Sequence, residues 1–394
     1  MYSVEFKINV VYNINRNKKY IWGIPLYVVE GGIFMSFKKP SVKKTNTTLN
    51  SLRIYLRSVK KWGKSTLFRD MILEEYGDPE KGLLVGIGNE MGYGLLDELN
   101  TAHVDNWKDL EELKKYLIEG KINKEHEIEI VAFDVIDELI PIAEKEICRR
   151  YEVKSRKPCD SINKAEGGYG KGQDACVELM KSYFSDLYKA GFGIMAIAHV
   201  KQKNIIEKGM EETEGYQMLT SNLSNKYEAV FGDIFDCVLT GVIDKDISNG
   251  RIQSSSRKLY FRGTCEIDAG CRFKEGTVPE YMDFEGEDKT REFIDILKEG
   301  MRKSKKKTMT REKFDEEAKK DKIKEDEKAK EFIQDKVEED SKVDKAELLD
   351  EIKALATTTE ARKKLTEYMK ASNVSKVGDF NVEQLKEIRE ALAR

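Results

Sequence analysis

Residues 57–66 read RSVKKWGKST, and the second half, Gly63-Lys64-Ser65-Thr66, completes the pattern GxxxxGK[ST]. Such a loop gathers backbone N–H groups around phosphate at a helix N-terminus. Gly63 allows close approach of the backbone, Lys64 neutralises the β and γ phosphates, and Ser65, followed by Thr66, offers a hydroxyl to Mg²⁺. Ser58 occupies the place of the first glycine. That glycine serves the turn out of the strand, so a serine costs about 1 kcal/mol if φ must be positive and removes no phosphate ligand. Lys60, Lys61 and Trp62 fill the loop, and either lysine can add charge.

Three more polar residues follow in chain order. Asp134 ends the run IVAFD, where a carboxylate can order the water shell of Mg²⁺; read alone, it serves equally as a helix N-cap. Glu90 stands just past GLLVGIG, placed to face a γ-phosphate and polarise water as a general base; the plain alternative is a solvated loop glutamate. His199 closes the run MAIAH, with Lys201 and Lys203 behind it, and is expected to sense the γ-phosphate unless it is merely structural.

These residues need elements to hold them. LRIYL is a short strand before the loop, and STLFRDMILEEYG a helix that Gly77 ends. GLLVGIG (82–88) is a second buried strand, and 106–120 an amphipathic helix. EIEIVAFDVIDEL (127–139) runs from strand into helix, a long helix covers about 174–190, and strands follow at 193–200 and 234–243. KLYFRG and EIDAGCRF read as strands near a sheet edge. The alternation predicts a mostly parallel, three-layer α/β domain over 51–290.

Outside that span the composition changes. Residues 1–50 read as leader and flexible arm. Within them, Glu30-Gly31-Gly32 can be encoded GAA-GGA-GGA, which contains the ribosome-binding sequence GGAGG, and Met35 follows two codons later. The expectation is therefore that Met35 is the natural start, against an ordinary N-terminal β-segment. Residues 291–345 are a charged linker, either a solvated single helix or disorder, since they lack an apolar stripe. Residues 346–394 regain helical periodicity and predict a small helical domain.

The 69 basic and 72 acidic residues nearly cancel to a net charge of −3, which excludes a bulk polycation but not a local basic face. Six cysteines without a C-x-x-C pair, and three histidines, argue against a disulfide framework or a zinc site and fit the cytoplasm. No apolar run approaches the roughly 18 residues of a membrane span.

Taken together, VKKWGKST, NEMGYG, IVAFDVIDEL, AIAHVKQK and FRGTCEIDAGCRF resemble the RecA-like branch of P-loop ATPases. Within it, the chain is similar to phage-encoded AAA-domain proteins that include single-strand annealing proteins, over roughly residues 50–285. The resemblance implies a RecA-like sandwich with ATP and Mg²⁺ as cofactors. It also implies Glu90 as catalytic base, Asp134 as the metal-ordering acid, and His199 as the sensor where RecA carries glutamine. Ser58 and Val135, which follows the acid where a small hydroxyl residue is common, depart from the pattern.

The same resemblance implies two DNA-facing loops. The first falls on 149–172, with Arg149, Arg150, Lys154, Arg156, Lys157 and Lys171 for phosphates and Tyr151 and Tyr169 for bases. The second falls on 201–222, with Lys201, Lys203 and Lys208, diluted by several glutamates. Arg262 and Arg272 are expected either as fingers reaching a neighbouring subunit's nucleotide or as members of local salt bridges. The implied partners are single-stranded DNA, further copies of the chain in a ring or filament, and a single-strand binding protein at the C-terminal domain. The expected function is DNA-stimulated ATP hydrolysis in phage recombination or replication. The alternatives are a helicase-loader or accessory ATPase, and a non-hydrolysing DNA-binding scaffold.

Overall fold

The computed structural model describes residues 48–394 except 207, 208, 210–214, 249, 250, 287, 306–309, 357, 358, 373, 375 and 394, together with strands at 19–21, 24–29 and 32–35. Of the expected arm at 35–50, residues 36–47 lie outside the described residues, while Leu49–Ser51 form a buried 3-10 turn rather than a free arm. The chain forms two compact units, residues 1–45 and 46–394. In the first, β1 (Lys19–Ile21), β2 (Ile24–Val29) and β3 (Gly32–Met35) make an antiparallel meander in which Leu26 pairs with both Lys19 and Met35.

The second unit is built on a mixed sheet. Its parallel strands are β4 (Arg53–Ser58), β5 (Gly82–Ile87), β6 (Thr101–Val104), β7 (Ile130–Asp134), β8 (Gly193–Ile205) and β10 (Cys237–Ser248). Antiparallel partners are β9 (Tyr216–Ser221) on β8, β11 (Arg251–Tyr260) and β12 (Gly270–Cys271) on β10, and β13 (Tyr281–Asp283) on β11. The order β13-β11-β10-β4-β8-β7-β5-β6 inserts β8 between β4 and β7. The expected mostly parallel α/β fold is the one observed.

Burial on both faces explains the apolar runs. Along β4, Tyr55 enters one core and Ile54 and Leu56 the other; Phe133 and Ala132 on β7, and Ala196 and Ile197 on β8, divide the same way. One face is covered by α2 (Trp107–Asn123), α3 (Ile136–Ser155), α4 (Lys171–Lys189) and α5 (Asn225–Ile234). The other is covered by α1 (Lys64–Tyr76) and α6 (Lys289–Ser304). Gly77 ends α1 at φ 65, its N–H bonded to the Leu73 carbonyl.

The charged segment takes the single-helix form of the two expected, α7 (Arg311–Leu355), but it is not wholly solvated: it buries Phe314 in one core and Ile333 in the other, with Ala329 buried as well. Burial of a side chain of that size contributes about 1.5–3 kcal/mol, so widely spaced apolar residues dock a helix that has no stripe. Lys322 to Glu129 at 2.8 Å and Thr48 to Glu325 at 3.0 Å fasten it further. Past residue 345 the same helix packs Leu348 and Ile352 against Leu385 and Ile388 of α9 (Val382–Ala393), with α8 (Thr359–Ala371) alongside.

Candidate functional site

The parallel register aligns five strands, and β4, β5 and β7 end at this level. Ser58 lies opposite Gly241 on one side and His199 on the other, and Asp134 lies opposite Ile197 and Gly86. Every residue singled out for phosphate chemistry therefore leaves the C-terminal edge of the sheet, where α/β folds hold ligands.

From Ser58 the chain turns through 59–63 into α1. Ser58 is buried, its hydroxyl donates to the Val59 carbonyl at 2.9 Å, and it is not among the residues with positive φ. The strain expected there is absent. The left-handed positions are Lys61 (φ 60) and Gly63 (φ 106), so the non-glycine cost of about 1 kcal/mol falls on Lys61. Trp62 is an anchor that sequence reasoning did not explain. Its ring is fully buried, 4.9 Å from the Phe284 ring, and its Nε1–H donates to the Val242 carbonyl at 3.1 Å. It lies so close on Gly241 that a Cβ there would come within 2.6 Å of it. With Gly63 as N-cap, no side chain caps α1, which leaves its first N–H groups open to an anion.

Ser65 Oγ donates to Asp134 Oδ2 at 2.5 Å, so the hydroxyl and carboxylate oxygens converge. Lys64 is buried, and burial pulls its ammonium below the usual lysine range against the opposing pull of Asp134, Asp137 and Glu90. Burial likewise pushes Asp134 up, opposed by the Ser65 hydrogen bond and by Lys64. Thr66 is half-buried in the first turn of α1. Glu90 is half-buried, and its carboxylate accepts from the Gly92 N–H at 2.9 Å. The loop then folds the Tyr93 ring over Gly86 and brings the Tyr93 hydroxyl 3.0 Å from His103 Nδ1.

Asp137 is the site residue that the sequence reading missed. Its Oδ2 accepts from the His199 backbone N–H at 3.0 Å, and its Oδ1 from Asn222 Nδ2 at 3.0 Å. His199 Nδ1 is 3.6 Å away. Burial alone would raise this carboxyl, but the bonds from His199 and Asn222 outweigh it and hold the group below the usual range. The run FDVID, which sets Asp137 three residues past Asp134 in the first turn of α3, was the available signal. A second network lies beneath the loop. Arg57, fully buried, pairs with Glu228 at 2.8 Å and Asp268 at 2.9 Å, while the Tyr55 hydroxyl bonds Glu228 and Ser221 at 2.9 Å each.

The expected DNA loops are placed differently. Residues 149–155 belong to α3, because Glu146 binds Arg149 at 2.8 Å and Arg150 at 2.6 Å and carries the helix onward. Arg149, Arg150 and Lys154 are therefore helical rather than in a loop, and Lys154 pairs with Glu166 at 3.2 Å. Arg156 is the left-handed C-cap, Lys157 is exposed, and Lys171 opens α4. Tyr151 packs against the core, whereas Tyr169 is 100% exposed inside a run of positive φ from Glu166 to Gly170. Residues 201–205 and 216–221 form an antiparallel ribbon, not a loop, with Lys201 exposed and Lys203 Nζ donating to the Leu223 carbonyl at 2.7 Å. Lys208 lies outside the described residues.

Neither expected finger presents a free guanidinium. Arg262 donates to the carbonyls of Cys271 and Phe273 at 2.8 Å each. Arg272 lies 3.6 Å from Asp236 and donates to the Asp233 carbonyl.

A glycine-turned loop heading a helix, a serine hydroxyl on a strand-end aspartate and an inserted strand between them are the features of a P-loop NTPase domain. Residues 50–273 match the family described as AAA domain, and the chain belongs to that family. Among solved structures it is similar to a KaiC-like protein from the hyperthermophilic archaeon Pyrococcus horikoshii, at 12% identity and a TM-score of 0.30, over 60% of this chain and 91% of that one. No curated protein matches the chain. Among the described residues, no helix is long and apolar enough to cross a membrane.

Proposed function

We propose that the protein is an ATP-hydrolysing, RecA-like enzyme acting on single-stranded DNA in phage recombination or replication. The observation that carries the ATPase reading is the 2.5 Å contact of Ser65 Oγ with Asp134 Oδ2 beside the buried Lys64. Two hard oxygen donors of this kind suit Mg²⁺, which when bound would draw charge from the phosphates. The open N–H groups of α1 and Lys64 hold the phosphate chain. Glu90 orients and polarises water, for which its carboxylate turns from the Gly92 N–H. His199, tied to Asp137 and through Asn222 to the base of the β8–β9 ribbon, couples nucleotide state to the DNA-facing surface.

The DNA reading is supported by the exposed Tyr169 and Lys157 and by the basic end of α3. Assembly into a ring or filament, and recruitment of a single-strand binding protein by α8 and α9, complete the proposal. One observation favours a non-hydrolysing scaffold instead: Glu90 is already engaged by its own loop. Phosphate release measured with and without single-stranded DNA, on wild type and Lys64→Ala, beside an annealing assay, decides among these. DNA-stimulated release that Lys64→Ala abolishes, together with annealing, is expected. Release without annealing indicates a loader, and DNA binding without release indicates the scaffold.

A further inference from the structure

Arg257, Arg262 and Arg272 follow β10 in the chain, and their guanidinium groups differ in what they touch. Arg262 is taken up by carbonyls of its own segment, and Arg272 by Asp236 and the Asp233 carbonyl at the end of α5. Arg257 is not. Among the described residues its guanidinium makes one hydrogen bond, from Nη1 to the Trp62 carbonyl at 3.3 Å. Its backbone is fixed on both sides, the N–H on Glu285 Oε1 at 3.0 Å and the carbonyl under the Phe284 N–H at 2.7 Å.

The register brings Arg257 to the phosphate loop. Gly241 on β10 lies opposite Ser58, and β10 continues past that point so that Ile243 pairs with Arg257. Trp62 is sealed between Gly241 and Phe284, which fixes the carbonyl that Arg257 meets. A Cβ on Gly63 would lie 3.4 Å from Arg257 Nη1, so the guanidinium stands against the residue that heads α1.

Charge explains what such an arginine is for. Around Lys64 stand the carboxylates of Asp134, Asp137 and Glu90 with Lys60 as the other nearby cation, so the carboxylates outnumber the lysines. A polyphosphate entering there needs further cations. A guanidinium has five donors in a planar fork suited to phosphate oxygens, and one bond to a carbonyl leaves most of them available.

We infer that Arg257 is a phosphate-binding residue supplied in cis, a second cation that closes on the phosphate chain of a nucleoside di- or triphosphate held by the loop. The inference rests on the nucleotide-binding reading above and adds a ligand that no motif marks.

The test is calorimetric titration of the full chain with Mg·ADP and with a slowly hydrolysed ATP analogue. Arg257→Gln keeps an N–H donor for the Trp62 carbonyl and removes the charge; Arg257→Lys keeps the charge. Arg257→Gln is expected to weaken both ligands about tenfold or more, with Arg257→Lys recovering most of the loss and the melting temperature of the ligand-free protein unchanged. Wild-type affinity in Arg257→Gln, with binding abolished in Lys64→Ala, overturns the role of Arg257 alone. Weakened binding that Arg257→Lys does not recover, accompanied by a lower melting temperature, also overturns it, since the arginine is then only a brace. Wild type that binds neither nucleotide overturns both this inference and the reading beneath it.

Discussion

Ser65 Oγ lies 2.5 Å from Asp134 Oδ2, although 69 positions separate them in the chain. The contact exists because β4 and β7 end at the same edge with only β8 between them. It brings a helix-start hydroxyl to a carboxylate that burial holds in an unfavourable ionised state.

That cost yields a prediction. Because burial raises the Asp134 carboxyl above its unfolded value, the ligand-free fold is relatively favoured at acid pH and loses this advantage as pH rises through the raised value. Asp134→Asn keeps an acceptor for Ser65 and removes the charge. It is expected to stabilise the ligand-free protein by about 1 kcal/mol at pH 7, a gain that vanishes below about pH 4, while abolishing Mg²⁺-dependent nucleotide binding. Thermal melts at both pH values, with and without Mg·ATP, check it. A destabilised Asn variant at pH 7 would contradict the electrostatic account.

Ser58 makes a contrasting case. Since it carries no positive φ and its hydroxyl is satisfied locally, glycine there relieves nothing. Ser58→Gly should leave the rate of phosphate release within about twofold and cost about 0.5–1 kcal/mol in stability through added chain entropy. A large gain in turnover would mean that the loop is handicapped after all.

Much of this was legible from the residues. Strands buried on both faces show as apolar runs, which is why β5, β7 and the first half of β8 could be read. Polar composition says little where ion pairs supply the order. Arg149 and Arg150 looked like a loop because Glu146, which holds the helix through them, sits one turn earlier. The β8 side of the ribbon is a run of polar residues, Lys201, Gln202, Lys203 and Asn204, which reads as loop although Thr220 and Ser221 on β9 are buried. Asp137 was hidden because an acidic residue in a first helical turn ordinarily needs no other reason. Arg257 became visible only once the register of β10 and β11 was known.

The network around Arg57 tests how firmly the loop strand is seated. Arg57→Met leaves Glu228 and Asp268 without their cation. Removing one member of a buried pair costs about 3–5 kcal/mol. The low end is expected here, because Asp268 is partly exposed and water can take up its charge. Denaturant unfolding measures the loss, and the double variant Arg57→Met/Glu228→Gln should recover part of it. A single variant as stable as wild type would show that the network is idle.

The proposed DNA surface can be tested at Tyr169. Tyr169 projects fully into solvent from a turn that holds five successive residues at positive φ, whereas Tyr151, on the preceding helix, is packed against the core. If single-stranded DNA lies along 149–172, stacking on Tyr169 should contribute about 1–3 kcal/mol, with no charge involved. Tyr169→Ala should therefore weaken binding of an oligo-dT strand at every salt concentration alike, leaving the salt slope as in wild type. Lys157→Ala, removing one exposed cation, should instead reduce that slope by about 0.7. Fluorescence anisotropy across a salt series separates the two effects. If Tyr169→Ala binds as tightly as wild type while folding normally, the strand does not run across this turn.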